Sequence, residues 1–126
     1  MFKVNADLSI YATRGDMIAF SVAADSGSAA YQFKEDDIVR INIFEKKECH
    51  SVVLRKDFPA TAGAEKVDIL LTGEEMKIGE LISKPKDYWY EIELNPLTNP
   101  QTIVGYDEGG AKVFRLFPEG GEEVVE

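Results

Sequence analysis

This sequence predicts an all-β fold, a two-layer antiparallel β-sandwich of about eight short strands. Three observations carry that reading. Apolar side chains recur at period two along most of the chain, not at 3.6. The alternating runs are short and are separated by turns rich in Gly, Pro, Asp and Asn. Only one brief segment carries a helical signal. A chain of 126 residues buries about two-thirds of its unfolded surface, so a single core suffices. A closed barrel of similar size is the competing architecture, since periodicity does not separate the two.

Taken in order, Leu8 and Ile10 open a first short strand, and TRGD at 13–16 is a polar break. Ile18, Phe20 and Val22 then alternate with Ala19 and Ser21, and AADSGSA at 23–29 is a loop of small residues. KEDD at 34–37 turns the chain into a strand with Val39, Ile41 and Ile43 on one face and Arg40 and Asn42 on the other. EKKE at 45–48 reads as a hairpin connection to 51–58, where Val52, Leu54 and Phe58 are expected on one side. Val67, Ile69 and Leu71 form a further alternating set. Thr72 followed by Glu75 has capping-box spacing, so one short helix is expected near 73–78, anchored by Met76 and Ile78.

YWYEIEL at 88–94 is the strongest strand signal. Tyr88, Tyr90, Ile92 and Leu94 share one face, and Trp89, Glu91 and Glu93 the other. TIVGY at 102–106 and AKVFRLF at 111–117 flank DEGG, a strong hairpin signal that would bring Tyr106 and Phe114 together. Residues 1–118 therefore form one sandwich domain, and 119–126, with four glutamates and no base, an acidic flexible tail.

Composition narrows function. Fourteen basic against 23 acidic residues give a net charge of -9, a poor surface for a phosphate backbone, so no nucleic acid is expected as a partner. No run approaches the length of a membrane span, and no secretory signal pattern is visible. Cys49 is the single cysteine and His50 the single histidine. Neighbours on a strand point to opposite faces, so they make neither a metal site nor a nucleophile–base pair. No metal and no cofactor are expected. The glycine pairs at 109–110 and 120–121 do not open a helix after a buried strand, which argues against a phosphate cradle. RGD at 14–16 reads as a turn, with Gly15 at positive φ and Asp16 accepting backbone hydrogens.

Two features remain as site candidates. Glu91 and Glu93 lie on one face and could in principle divide acid and base roles, as in glycosidases; more often such a row is simply the wet or subunit-facing face of a sandwich. Trp89 shares that face. It is open to three roles: covered by the chain's own parts, a protein-contact anchor, or a sugar platform. Tyr106 and Phe114 are expected to join its patch.

The order TRGD, MIAFSV, DDIVRINI at 36–43, the Leu71–Thr72–Glu75 step and YWYEIEL is similar to one known domain. This is the N-terminal immunoglobulin-like domain of the upper baseplate proteins of phages with long non-contractile tails. It also resembles small prophage proteins that carry that domain alone. The likeness spans about residues 8–117. It implies an immunoglobulin-like sandwich acting as a non-enzymatic structural connector, with protein partners that are sister copies or other tail components. It implies location in the virion or the bacterial cytoplasm, and no residue with a chemical role. By the resemblance, Gly15 and Asp16 form the early turn, Tyr90 and Ile92 the core of a central strand, and Gly110 the final hairpin. After residue 118 the chain departs from the family plan, lacking a long helix or receptor-binding module, so the resemblance implies a small accessory subunit. Against that reading stand a carbohydrate-binding module built on Trp89 with its carboxylates, and a small hydrolase built on Glu91 and Glu93.

Overall fold

The computed structural model describes residues 1–26, 29–48, 50–107 and 110–119. Cys49, two residues of DEGG and positions 120–126 of the expected tail lie outside the described residues.

Among the described residues eleven strands follow in order: β1 (Phe2–Val4), β2 (Ile10–Thr13), β3 (Ile18–Val22), β4 (Asp25–Ser26), β5 (Ala29–Ala30), β6 (Ile38–Lys46), β7 (His50–Pro59), β8 (Val67–Leu71), β9 (Lys86–Leu94), β10 (Gln101–Val104) and β11 (Lys112–Phe117). Seven form one sheet in the order β1-β2-β11-β9-β6-β7, with β10 also paired to β9. The opposing layer is β3 paired antiparallel with β8. β4 and β5 make a separate two-residue ladder. The architecture is thus an all-β sandwich with one broad and one narrow layer.

The expectation of a purely antiparallel sandwich needs one correction. β2 and β11 run parallel, with Ile10 opposite Phe114 and Thr13 opposite Phe117. A tight hairpin forces antiparallel neighbours, but a long crossover does not. The turn after Thr13 sends the chain across to β3 in the other layer, so β2 meets β11 only after nearly the whole chain has passed.

The core lies between the layers. Val39, Ile41, Ile43, Tyr88, Tyr90, Ile92, Leu94, Phe114 and Leu116 face inward from the broad sheet, meeting Ile18, Val22, Val67, Ile69 and Leu71 from the narrow one. The register explains the match: Ile41 stands opposite Ile92, and Ile43 opposite Tyr90. Cross-strand partners share a face, so two alternating sequences in this register put every apolar position on the same side. Tyr90 and Ile92 are therefore core residues, as their alternation predicts.

Three further expectations need correction. Among the described residues there is no helix near 73–78. The capping box itself forms: Thr72 N–H donates to Glu75 Oε1 at 2.9 Å, and Glu75 N–H to Thr72 Oγ1 at 3.2 Å. Only one turn follows, closed by Met76 N–H to Thr72 C=O at 2.9 Å. A single turn does not repay the cost of helix nucleation. Met76 and Ile78 are buried all the same and hold the segment to the core. Secondly, β10 and β11 do not pair with each other. Gln101 stands opposite Leu94 and Lys112 opposite Tyr90, so both strands lie end to end along one edge of β9. Between them Asp107 and Gly110 form an isolated bridge, with Gly110 at φ 92° and its N–H on the Asp107 C=O at 2.9 Å. Nine-residue β9 has more edge than β11 covers, and β10 satisfies the remainder. Lastly, Val52 and Leu54 face opposite sides. Ile43 pairs with Leu54 but Phe44 with Val52, a β-bulge that inserts Val53 and flips the alternation.

Two polar knots fix the ends of the sandwich. Buried Asp37 accepts from Asn95 Nδ2 at 2.9 Å, Tyr31 Oη–H at 2.7 Å and Lys34 N–H at 2.9 Å. Burial pushes its carboxyl up, but these donors outweigh that and hold it below the usual range. At the opposite end, Arg14 Nε donates to Ile78 C=O at 2.9 Å, and its other nitrogens to Gly79 C=O and Glu119. The arginine of RGD is thus consumed internally. Gly15 has φ 87°, as a left-handed turn requires. Asp16 departs from expectation: its carboxylate accepts the Met1 ammonium at 3.0 Å.

Candidate functional site

The outward face of β9 presents Trp89, Glu91 and Glu93 together because alternation puts odd-numbered positions there. Their cross-strand partners define the surroundings. Trp89 stands between Val113 of β11 and Phe44 of β6, and Phe44 is opposite Val52 of β7. An apolar row, Val113–Trp89–Phe44–Val52, thus crosses four strands on the side away from the core. Phe44 is 5% exposed although it lies outside the core cluster. Its neighbours on the face cover it. Val52, at the end of the row, is 43% exposed, and Trp89 is half-buried.

Beside this row runs a polar network centred on Asn42, only 2% exposed. Its Nδ2 donates to Glu93 Oε1 at 3.0 Å and, more weakly, to Glu91 Oε1 at 3.4 Å. Its Oδ1 accepts from Arg55 Nε at 2.6 Å. Arg40 grips Asp57 through two bonds of 2.6 and 3.0 Å, the planar fork–fork geometry that gives such pairs direction as well as strength. That pairing, with the Arg40 guanidinium as first donor, lowers the Asp57 carboxyl. Glu91 moves the other way. Desolvation raises its carboxyl, the neighbouring Glu93 charge adds to the rise, and Asn42 and Arg55 oppose it. The desolvation has a visible source. A Cβ on Gly105 would stand 3.7 Å from Glu91 Cβ and 2.5 Å from Thr102 Cγ2. The segment after β10 therefore crosses closely over Glu91, and glycine is what permits it.

The residues singled out by sequence are only partly brought together. Trp89, Glu91 and Glu93 share one face, as expected. Phe114 does not join them. It is fully buried on the opposite face, its ring edge-on to Tyr90 at 6.3 Å. The expected hairpin misplaced it, because position 114 pairs with core-facing Tyr88. Tyr106 lies in the excursion between β10 and β11 and is 69% exposed. Sequence reasoning passed over Asn42, Arg55 and Phe44 as site members. A signal was present: asparagine is disfavoured in mid-strand, so one at the centre of IVRINIF marks a polar requirement.

The arrangement limits what chemistry follows. Glu91 and Glu93 accept from the same amide nitrogen on the same side of the sheet. A glycosidase needs its two carboxyl groups flanking a scissile bond, which this shared donor opposes. Among the described residues, no cluster of three His, Cys, Asp or Glu is placed to hold a metal ion. No helix among them is long and apolar enough to cross a membrane. Compared with protein-family models, curated proteins and solved structures, the chain finds no match in any of the three.

Proposed function

We propose that this chain is a non-enzymatic assembly module that works by protein contact through the outward face of its broad sheet. In this reading it is an immunoglobulin-like structural part of a phage or prophage tail or baseplate. The observation that carries the contact role is the apolar row centred on Trp89, edged by polar and charged side chains. Contact hot spots have this composition, an aromatic anchor in apolar surroundings with a polar rim. Arg40 is already paired with Asp57, whereas Glu91 and Glu93 share only the neutral amide of Asn42, so a partner that covers the face must bring a base to that rim. The phage setting rests on the resemblance carried by TRGD, DDIVRINI and YWYEIEL.

The test is co-expression of the full chain with the products of its neighbouring genes, followed by co-purification and light scattering of the complex. Trp89→Ala should abolish the complex, or weaken it by at least about tenfold, while circular dichroism stays unchanged. A chain that stays monomeric and retains no neighbouring product, or a complex indifferent to Trp89→Ala, refutes the proposal. A titration with glycans in parallel addresses the sugar reading. Saturable binding lost in Trp89→Ala would favour it over protein contact.

A further inference from the structure

Strand β7 ends the broad sheet. It is ten residues long and has β6 as its one sheet neighbour among the described residues. The ladder settles which backbone groups are left over. Ala60 N–H donates to Asp37 C=O at 3.0 Å, one step past the Ile38–Pro59 pair. On the far side of β6, Asn95 N–H donates to Ile38 C=O at 2.7 Å. The N–H and C=O of one residue point to the same side of a strand, and that side alternates along the chain. Leu54, Lys56 and Phe58 therefore bond to β6, while Arg55 and Asp57 hold their N–H and C=O toward the free edge. Both residues are exposed. Such unpaired groups are a template for another strand.

In chemical character this edge reads alike in both directions. VLRKDFP at 53–59 is centred on Lys56. Arg55 is balanced by Asp57, Leu54 by Phe58, and Val53 by Pro59. Two antiparallel copies of β7 about a two-fold axis at Lys56 therefore set Arg55 opposite Asp57 twice. Opposite charges facing across a ladder stabilise it, and like charges oppose it. Sliding the copies by two residues would set Arg55 against Arg55 or Asp57 against Asp57. Sliding by one would turn core-side residues to the outer face. Each Arg55–Asp57 pair also exchanges both of its N–H···O bonds, because these are the residues whose groups face the edge. Lys56 meets its own copy at the axis, on the inner side, but its charge is already matched within each chain. Its Nζ donates to Glu75 Oε1 at 2.8 Å and to Leu70 C=O at 3.0 Å. The bulge at Val53 and the missing N–H of Pro59 bound the ladder at its two ends.

We infer that the free edge of β7 is a self-association site. A second copy of this chain adds its own β7 antiparallel, with Arg55 of each copy opposite Asp57 of the other, and the two broad sheets run on as one. The contact is isologous and uses up the edge, so assembly through it stops at two copies. It is made by backbone groups and the Arg55–Asp57 pair, and does not depend on what the Trp89 row binds.

The experiment is sedimentation of the full chain over a dilution series, with amide hydrogen exchange read by NMR at both ends of it. A monomer–dimer equilibrium is expected. Exchange at Arg55 and Asp57 should slow by at least about tenfold in the dimer, while Leu54, Lys56 and Phe58, already bonded to β6, stay protected throughout. Asp57→Pro removes an edge N–H and the charge opposite Arg55, and should weaken dimerisation by at least about tenfold. Arg55→Glu, which sets like charges across the ladder, is a second variant should the first not fold. Trp89→Ala should leave the equilibrium unchanged. A chain still monomeric at about 1 mM, exchange at Arg55 and Asp57 that ignores concentration, or a dimer that survives a folded edge variant or is lost in Trp89→Ala overturns the inference. So does slowing at Arg55 and Asp57 that appears only with the product of a neighbouring gene, which would give the edge to another protein's strand.

Discussion

Asn42 offers the sharpest test of how the outward face is held. Its amide is nearly inaccessible and serves three charged partners, Glu91, Glu93 and Arg55. Hydrogen bonds to charged groups contribute about 1.5–3 kcal/mol each. The Glu91 bond is long, and all three partners can recover some water, so Asn42→Ala should cost about 2–3 kcal/mol rather than the full sum. Asn42→Asp has nearly the same shape and separates electrostatics from packing. It keeps an acceptor for Arg55 but aims a third carboxylate at Glu91 and Glu93. At about 4 Å and an effective dielectric near 20, a like-charge contact costs about 4 kcal/mol before screening. Asn42→Asp should therefore be the more destabilised variant at pH 7, by about 3–5 kcal/mol relative to the parent. The new carboxyl would titrate above its unfolded value. A raised carboxyl contributes stability that is present below the unfolded pKa and lost as pH rises through the folded one. Acidification to pH 4 should thus narrow the gap to the parent for Asn42→Asp more than for Asn42→Ala. Urea denaturation at the two pH values reads this directly. Equal losses for both variants at pH 7, or no differential recovery on acidification, would refute the network as described.

Two further outcomes follow from the core and the Asp37 knot. Ile92→Ala should cost about 2–5 kcal/mol in chemical denaturation through the cavity it leaves; a loss under about 0.5 kcal/mol would show that β9 packs differently. Asp37→Ala strands three donors and should cost about 3 kcal/mol. Because the Asp37 carboxyl is held low, its contribution is present above the unfolded pKa and disappears as pH falls through the folded one. The parent should therefore lose more stability than Asp37→Ala on acidification below pH 4, and parallel pH–stability curves would contradict this.

What the sequence disclosed, and what it withheld, follows from the range of each interaction. The inward set Tyr88, Tyr90, Ile92 and Leu94 was legible because side-chain direction in a strand is fixed locally. So was the capping box at Thr72 and Glu75, although the helix it announces stops after one turn for want of length. The facing of Val52 was not legible, because it depends on a bulge set against β6. Phe114 was misplaced for a related reason. Asp107 and Gly110 pair with each other, but the flanking strands prefer the free edge of β9 to each other, and that edge lies in another part of the chain. The parallel pairing of β2 with β11 depends on separation in sequence, not on any local pattern. Of the outward site, Trp89, Glu91 and Glu93 could be read from alternation. Asn42 and Arg55 matter only through cross-strand register, which one strand's sequence does not state.

The turn at Arg14–Asp16 has a consequence for how the molecule can be handled. It takes the ammonium of Met1 on Asp16 and the carboxylate of Glu119 on Arg14, so both ends of the described chain converge on one pole. A fusion at Met1 would leave from this pole, opposite the Asp37 knot. Splicing the ends together and reopening the backbone at exposed Gly63, where an added methyl group meets nothing within 4 Å, would preserve every strand pairing while placing β8 to β11 ahead of β1 to β7 in the order of synthesis.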